Sequence, residues 1–162
     1  MNQSFNVSQL SVHRTYTPDV VELTLTDIAK RFVFIVDRGS IKDTINTLFK
    51  EPPNRKLEYR GFPYFEQIHN HLKDPESTGL LVVVKHPTDM FTEKHFNEHG
   101  DMYQTLSRKY RKPIVLHMQS ENGGCEIFES FSDVVLQRQE VFGHLQVECV
   151  KSRLEERVKP VS

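Results

Sequence analysis

Three short stretches of the chain are apolar at every position rather than at every second one. They are Phe32–Val36, Leu80–Val84 and Ile114–Leu116, and β-branched residues are frequent in them. A strand with one face in water alternates between apolar and polar side chains, whereas a strand covered on both faces does not. The pattern predicts three central strands, near 32–37, 79–85 and 113–118. One residue from the middle of each is expected to be buried: Phe34, Val83 and Val115.

Helical segments are expected between these strands, because parallel strands need crossover connections. A first helix is predicted over 40–50, with Ser40 as its N-cap, and a second over 64–73. A third is predicted to begin at Thr88, which can cap it. Gly100 is expected to interrupt this helix, which then restarts and runs to Tyr110.

The chain is expected to form one α/β domain over residues 1–162, a three-layer sandwich with a mostly parallel central sheet. Residues 1–18 are predicted to be a loose N-terminal arm or an edge element. Strands near 20–25 and 125–131 would extend the sheet at its edges, the second of them antiparallel. The stretch 133–159 is ambiguous, because its charged residues favour a helix while part of it alternates like a strand; the helix is preferred. The alternating residues are Leu145, Val147 and Cys149.

Charge and composition narrow the classes of function that the chain could have, but they add little to the prediction of its fold. The 162 residues carry a formal net charge of −1, which argues against a protein that binds nucleic acid or a membrane surface by charge alone. The two cysteines, Cys125 and Cys149, form no CxxC pair, and no export signal or spanning segment is visible. We therefore expect a soluble, cytoplasmic protein with no cofactor, no nucleic-acid partner and no membrane contact.

One cluster of candidate residues follows from the predicted topology. The carboxyl ends of parallel strands meet at one edge of a sheet, where ligands bind in open α/β folds. The polar residues expected at this edge are Asp37, Arg38, Ser40, His86, Asp89 and His117. As a catalytic set, Asp37, His86, Asp89 and His117 would supply carboxylates and imidazoles for acid–base chemistry. The alternative is that these residues cap helices and make turns.

A second candidate is a pair of histidines. Residues 95–99 read His-Phe-Asn-Glu-His, the H-x-x-E-H spelling of the inverted zincins, in which two histidines one helical turn apart bind zinc. No third ligand has an evident place in the chain. The expectation is therefore no metal site, with His95 and His99 as a partly exposed pair at a helix end.

Two further features have a functional and a structural interpretation. Cys125 follows Gly123-Gly124 and would be a nucleophile if the turn presented its thiol at a helix start; an idle thiol beside a hairpin turn is the preferred interpretation. The basic run consists of Arg108, Lys109, Arg111 and Lys112 around Tyr110. These cations are candidates for binding a partner, although a helix C-terminus also favours positive charge.

Two functional hypotheses remain. The chain lacks a Gly-rich phosphate loop, a G-x-S-x-G elbow and the kinase motifs. The preferred hypothesis is therefore a non-catalytic module that binds another protein, such as an adaptor, regulator or inhibitor of a larger enzyme. The alternative is a small hydrolase or an enzyme with a nucleotide or phosphate ligand, using the strand-end cluster.

Overall fold

The chain is an α/β protein. In a computed structural model, the described residues are 14–16, 23–37, 41–85, 92–118, 125–142 and 144–152. The strands among them are β1 (Arg14–Tyr16), β2 (Phe32–Val36), β3 (Arg55–Tyr59), β4 (Leu80–Val84), β5 (Ile114–Met118), β6 (Val134–Val141) and β7 (His144–Ser152). The helices are α1 (Ile41–Leu48), α2 (Phe65–Leu72), α3 (Glu93–Tyr110) and α4 (Cys125–Phe131). None of the described helices is long and apolar enough to cross a membrane.

The strands form one sheet in the order β1-β7-β6-β2-β5-β4-β3. Five neighbouring strands, from β6 to β3, run parallel. At one side, β7 pairs antiparallel with β6, and β1 pairs antiparallel with β7. The prediction of a mostly parallel sheet built on three central apolar strands is confirmed, since β2, β5 and β4 are adjacent.

Successive residues of the central strands point into two separate cores. Val33 and Ile35 belong to a cluster that includes Ile45 and Leu48 of α1. Phe32 and Phe34 belong to the other cluster, which includes side chains of α2, α3 and α4. Helix α1 therefore covers one face of the sheet and the other three helices cover the opposite face. This arrangement is compatible with the predicted three layers, and it explains why the central strands show no polar alternation.

Two of the predicted edge strands are corrected by the structure. Within 20–25, Leu23 forms only an isolated bridge with Phe49, and the chain turns from Leu25 onward; residues 20–22 lie outside the described part. Residues 125–131 form helix α4 instead of a returning strand. The physical reason is that β2 lies between β5 and β6, so the chain must cross over β2, and α4 makes that crossing with Phe128 buried against Phe34.

The helix preferred for 133–159 is also wrong. Strands β6 and β7 pair antiparallel over 134–141 and 144–152, and Phe142 lies in a turn after β6; Gly143 lies outside the described residues. Val134, Val135 and Leu136 are buried because β6 pairs with the central strand β2. Burial in the sheet outweighs the weak helical preference of the charged residues, which is worth only a few tenths of a kcal/mol per pair. Residues 153–159 lie outside the described part.

Helix α3 runs through Gly100 without a break. It begins after Thr92, whose N–H donates to Nδ1 of His95 at 3.1 Å; Thr88, the predicted cap, is outside the described residues. Gly100 is buried where α3 packs on Phe131 of α4. The glycine is therefore a site of close helix contact, whereas the sequence suggested a helix end.

Strand β3 was not predicted. It is the last strand of the sheet on its side among the described residues, and its residues alternate between half-buried and exposed. Charged side chains at exposed positions protect such an edge from pairing with another chain. Glu58 lies there within 2.9 Å of Lys56 and 3.2 Å of Lys85. The alternation of Leu57 and Tyr59 with charged residues is the signal that could have identified the strand.

Candidate functional site

The carboxyl ends of β2 and β5 lie side by side at a topological switch point. Helix α1 follows β2 on one face of the sheet, and α4 follows β5 on the other. Helices that leave neighbouring strands on opposite faces open a crevice at the strand ends, which is where ligands bind in open α/β sheets. Asp37 directly follows β2, and His117 is the penultimate residue of β5.

A buried hydrogen-bonded cluster occupies this position. The Nε2 atom of His117 lies 3.0 Å from Oδ2 of Asp37, and the hydroxyl of Thr44 in α1 donates to the same oxygen. The three side chains, which we call the strand-end cluster, are at most 2% exposed. The Asp37 carboxylate therefore joins β2 to β5 and to the helix that covers them.

The role of one His117 ring nitrogen follows from its partner. An ionised carboxylate only accepts hydrogen bonds, so Nε2 of His117 donates to Asp37. The other ring nitrogen, Nδ1, is buried and has no hydrogen-bond partner among the described residues. A buried polar atom in this state is unfavourable, so Nδ1 is a place where a ligand or water would be stabilising.

The structure brings together two of the six residues predicted for this edge. Asp37 and His117 are in contact, whereas Arg38, Ser40, His86 and Asp89 lie outside the described residues. Thr44 was not predicted. Its signal was a polar residue on the face of α1 that also carries Ile45 and Leu48, and a polar group on an apolar face needs a buried partner.

A surface of different character lies between α2 and the end of α3. Phe65 stacks on His69, with ring centroids 5.6 Å apart and planes inclined by 11°. His69 in turn contacts Tyr110, and Nδ1 of His69 is hydrogen-bonded to the Tyr110 hydroxyl. Tyr64 precedes Phe65; it is 75% exposed and Phe65 is 49% exposed. We call these four residues, Tyr64, Phe65, His69 and Tyr110, the aromatic strip.

The basic run at the end of α3 divides into two pairs. The guanidinium of Arg108 lies 3.4 Å from the buried carboxylate of Asp133. Asp133 also accepts the N–H of Phe32 at 2.9 Å. Nζ of Lys112 donates to the carbonyl oxygens of Leu72 and Asp74, at 2.7 and 2.8 Å. Arg108 and Lys112 thus hold the fold together.

The other pair of the basic run faces water. Lys109 and Arg111 are exposed, and neither has an acidic partner within 4.0 Å among the described residues. Nζ of Lys109 lies 5.5 Å from the centre of the Tyr110 ring, within the range of a cation–π contact. Lys109 therefore borders the aromatic strip.

The histidine pair of α3 has other contacts. Nδ1 of His95 accepts the Thr92 N–H at the start of the helix. His99 packs between Phe62 and Tyr103, and burial lowers its pKa, with the charge of His95 acting in the same direction and Glu98 opposing it. Among the described residues, no group of three or more histidines, cysteines or carboxylates is placed to hold a metal ion.

Cys125 is the first residue of α4. The returning strand predicted to begin at Cys125 is replaced by this helix, and Gly123 and Gly124 are outside the described residues.

Neither models of known protein families nor curated protein sequences match this chain.

Proposed function

We propose that this protein is a non-catalytic module that binds another protein. The observation that carries the proposal is the aromatic strip. Two large aromatic side chains at the start of α2, Tyr64 and Phe65, are open to water, and the Phe65 ring stacks on His69, which contacts Tyr110. Tyrosine and phenylalanine are enriched in protein interfaces because they bury large areas at a small loss of conformational entropy.

The burial of the strand-end cluster supports the same proposal. A general base must reach the proton that it abstracts, but the Asp37 carboxylate is almost completely buried and already accepts two hydrogen bonds. In this arrangement the cluster positions β2, β5 and α1 relative to one another. Its contribution to function is then the rigidity of the sheet that carries the helices.

Affinity purification with matched variants tests the proposal. We expect the purified chain to retain a stoichiometric protein partner from cell lysate. Asp37→Ala removes the shared acceptor and leaves Thr44 and His117 with buried donors, so it should lower the free energy of unfolding by about 2–4 kcal/mol. Below the resulting melting transition, this variant should retain the partner as well as the wild type does.

A second candidate function is supported by one observation, the contact between Asp37 and His117 at the topological switch point. An Asp–His pair at this position, with a buried Nδ1 that has no partner in the described part of the chain, is compatible with a small hydrolase or a ligand-binding enzyme. The negative charge of Asp37 disfavours a phosphate group beside it, because like charges repel in a buried site.

The two candidates differ in what Asp37→Ala and His117→Ala should do. The enzyme candidate requires hydrolysis of at least one member of a panel of aryl esters, aryl phosphates and nucleoside triphosphates. It also requires loss of that activity in either variant at a temperature where both remain folded. Turnover that survives both substitutions, or that is absent from the wild type, favours the interaction module.

A further inference from the structure

We infer that the aromatic strip, together with Lys73, Lys109 and Arg111, is the docking surface for an acidic segment of a partner protein that also carries aromatic side chains. This inference rests on the proposed interaction function and assigns it a place and a partner chemistry. The aromatic strip supplies apolar contact, and the three cations supply the charge.

Helix spacing and ring contacts join most of these groups, and Tyr64 and Arg111 adjoin them in the chain. Phe65, His69 and Lys73 are spaced four residues apart, so they follow one side of α2. Tyr110 contacts His69 from the end of α3, and Lys109 lies over the Tyr110 ring. Lys73 and Lys109 therefore lie at the end of the strip that is remote from Tyr64.

The charge of this surface is not neutralised from within the described part of the chain. Lys73, Lys109 and Arg111 are exposed and have no ion pair there, whereas Arg108 and Lys112 have intramolecular partners. The carboxylate that follows α2, on Asp74, is already paired with Arg55. An incoming carboxylate would thus meet cations that have no competing partner.

The same combination of rings and cations resembles a platform for single-stranded nucleic acid, but the observations favour a protein. Binding to a phosphate backbone depends on many cations, and this chain has a net charge of −1. Glu66, next to Phe65, is also exposed. A short acidic segment needs only a few positive contacts, so it is less sensitive to one nearby carboxylate than a phosphate backbone is.

Fluorescence anisotropy with defined polymers tests the inference. The probes are a labelled random copolymer of glutamate and tyrosine, labelled poly-glutamate, and labelled oligothymidylate. We expect the copolymer to bind more tightly than either of the others, with an affinity that falls as salt rises. Lys109→Glu/Arg111→Glu and Tyr64→Ala/Phe65→Ala should each weaken binding of the copolymer by about tenfold or more.

Matched controls separate this surface from general effects of charge and exposure. Lys42→Glu/Lys50→Glu makes the same charge change on exposed residues at α1, across the sheet, and Phe142→Ala removes an aromatic ring that is 96% exposed at the β6–β7 turn. Both should bind the copolymer as the wild type does, and circular dichroism should show all four variants folded.

Several outcomes would overturn the inference. Equal weakening by the control variants would assign binding to net charge, and tighter binding of oligothymidylate would assign the surface to nucleic acid. Equal affinity for poly-glutamate and the copolymer would show that aromatic side chains of the partner do not contribute to binding. If the partner from lysate is retained by all strip variants, the docking surface is wrong while the proposed interaction function stands.

Discussion

Gly100 is the residue at which a small substitution should have the clearest structural consequence. It lies inside α3, where alanine normally stabilises a helix by about 1 kcal/mol relative to glycine. A Cβ atom at this position would lie 2.5 Å from Cδ2 and 3.0 Å from Cγ of Phe131. Rotation about χ2 moves Cδ2 but leaves Cγ in place, so relief requires either a new χ1 rotamer of Phe131 or a shift of α4 away from α3.

The expected result is the difference between these two effects. Overpacking of a well-packed contact costs about 1–3 kcal/mol, and the backbone of α4 is held here by a hydrogen bond from Gln104 to the Phe131 carbonyl at 3.0 Å. We expect Gly100→Ala to lower the free energy of unfolding by up to about 2 kcal/mol, after subtraction of the gain of about 1 kcal/mol in helix propensity.

Urea unfolding followed by circular dichroism measures this change, and Phe131→Ala provides the matched background. With the ring removed, Gly100→Ala should become stabilising by about 0.5–1 kcal/mol, because only helix propensity remains. The double-mutant cycle should thus show a coupling of at least about 1 kcal/mol. The reasoning fails if Gly100→Ala stabilises the wild-type protein, or if the two substitutions are additive.

Two further predictions concern buried charge and pH. Asp133→Asn removes the charge that pairs with Arg108 and Arg31 but keeps an acceptor for the Phe32 N–H. Urea unfolding should show a loss of about 1–3 kcal/mol, because the two guanidiniums are only partly exposed; unchanged stability would contradict the assigned role. Burial lowers the pKa of His99 below its ordinary 6.5, so the unfolded chain takes up this proton first as pH falls. Stability should therefore decline below about pH 6.5, and less steeply in His99→Gln; parallel pH profiles would refute the assignment.

The central part of the fold follows from the sequence because the relevant signal is local. A strand covered on both faces must be apolar at every position, and β2, β4 and β5 are. Once those strands are parallel, their carboxyl ends must share an edge. That rule places Asp37 and His117, 80 residues apart in the chain, at one edge, and the pairing of β2 with β5 brings them into contact.

The periphery of the fold was decided by tertiary contacts. The sequence predicted a strand for 125–131 and left 133–159 ambiguous with a helix preferred, in both cases on weak local signals. Topology resolved them: β2 separates β5 from β6 and so requires the α4 crossover, and β6 is held as a strand by its pairing with β2. Glycine is typical of a helix end, which is why Gly100 was expected to interrupt α3. In the structure Gly100 instead lets α3 pack closely on Phe131, a neighbour that no local pattern reveals.

The candidate surfaces show the same division. The sequence identified the basic run at the end of α3, because like charges that are adjacent in the chain are visible there. It did not reveal that Arg108 and Lys112 are held by intramolecular partners, or that Tyr110 meets His69, 41 residues away. Such contacts depend on the packing of α2 beside α3 over one sheet, and therefore only the tertiary structure separates the cations that stabilise the fold from those that face water.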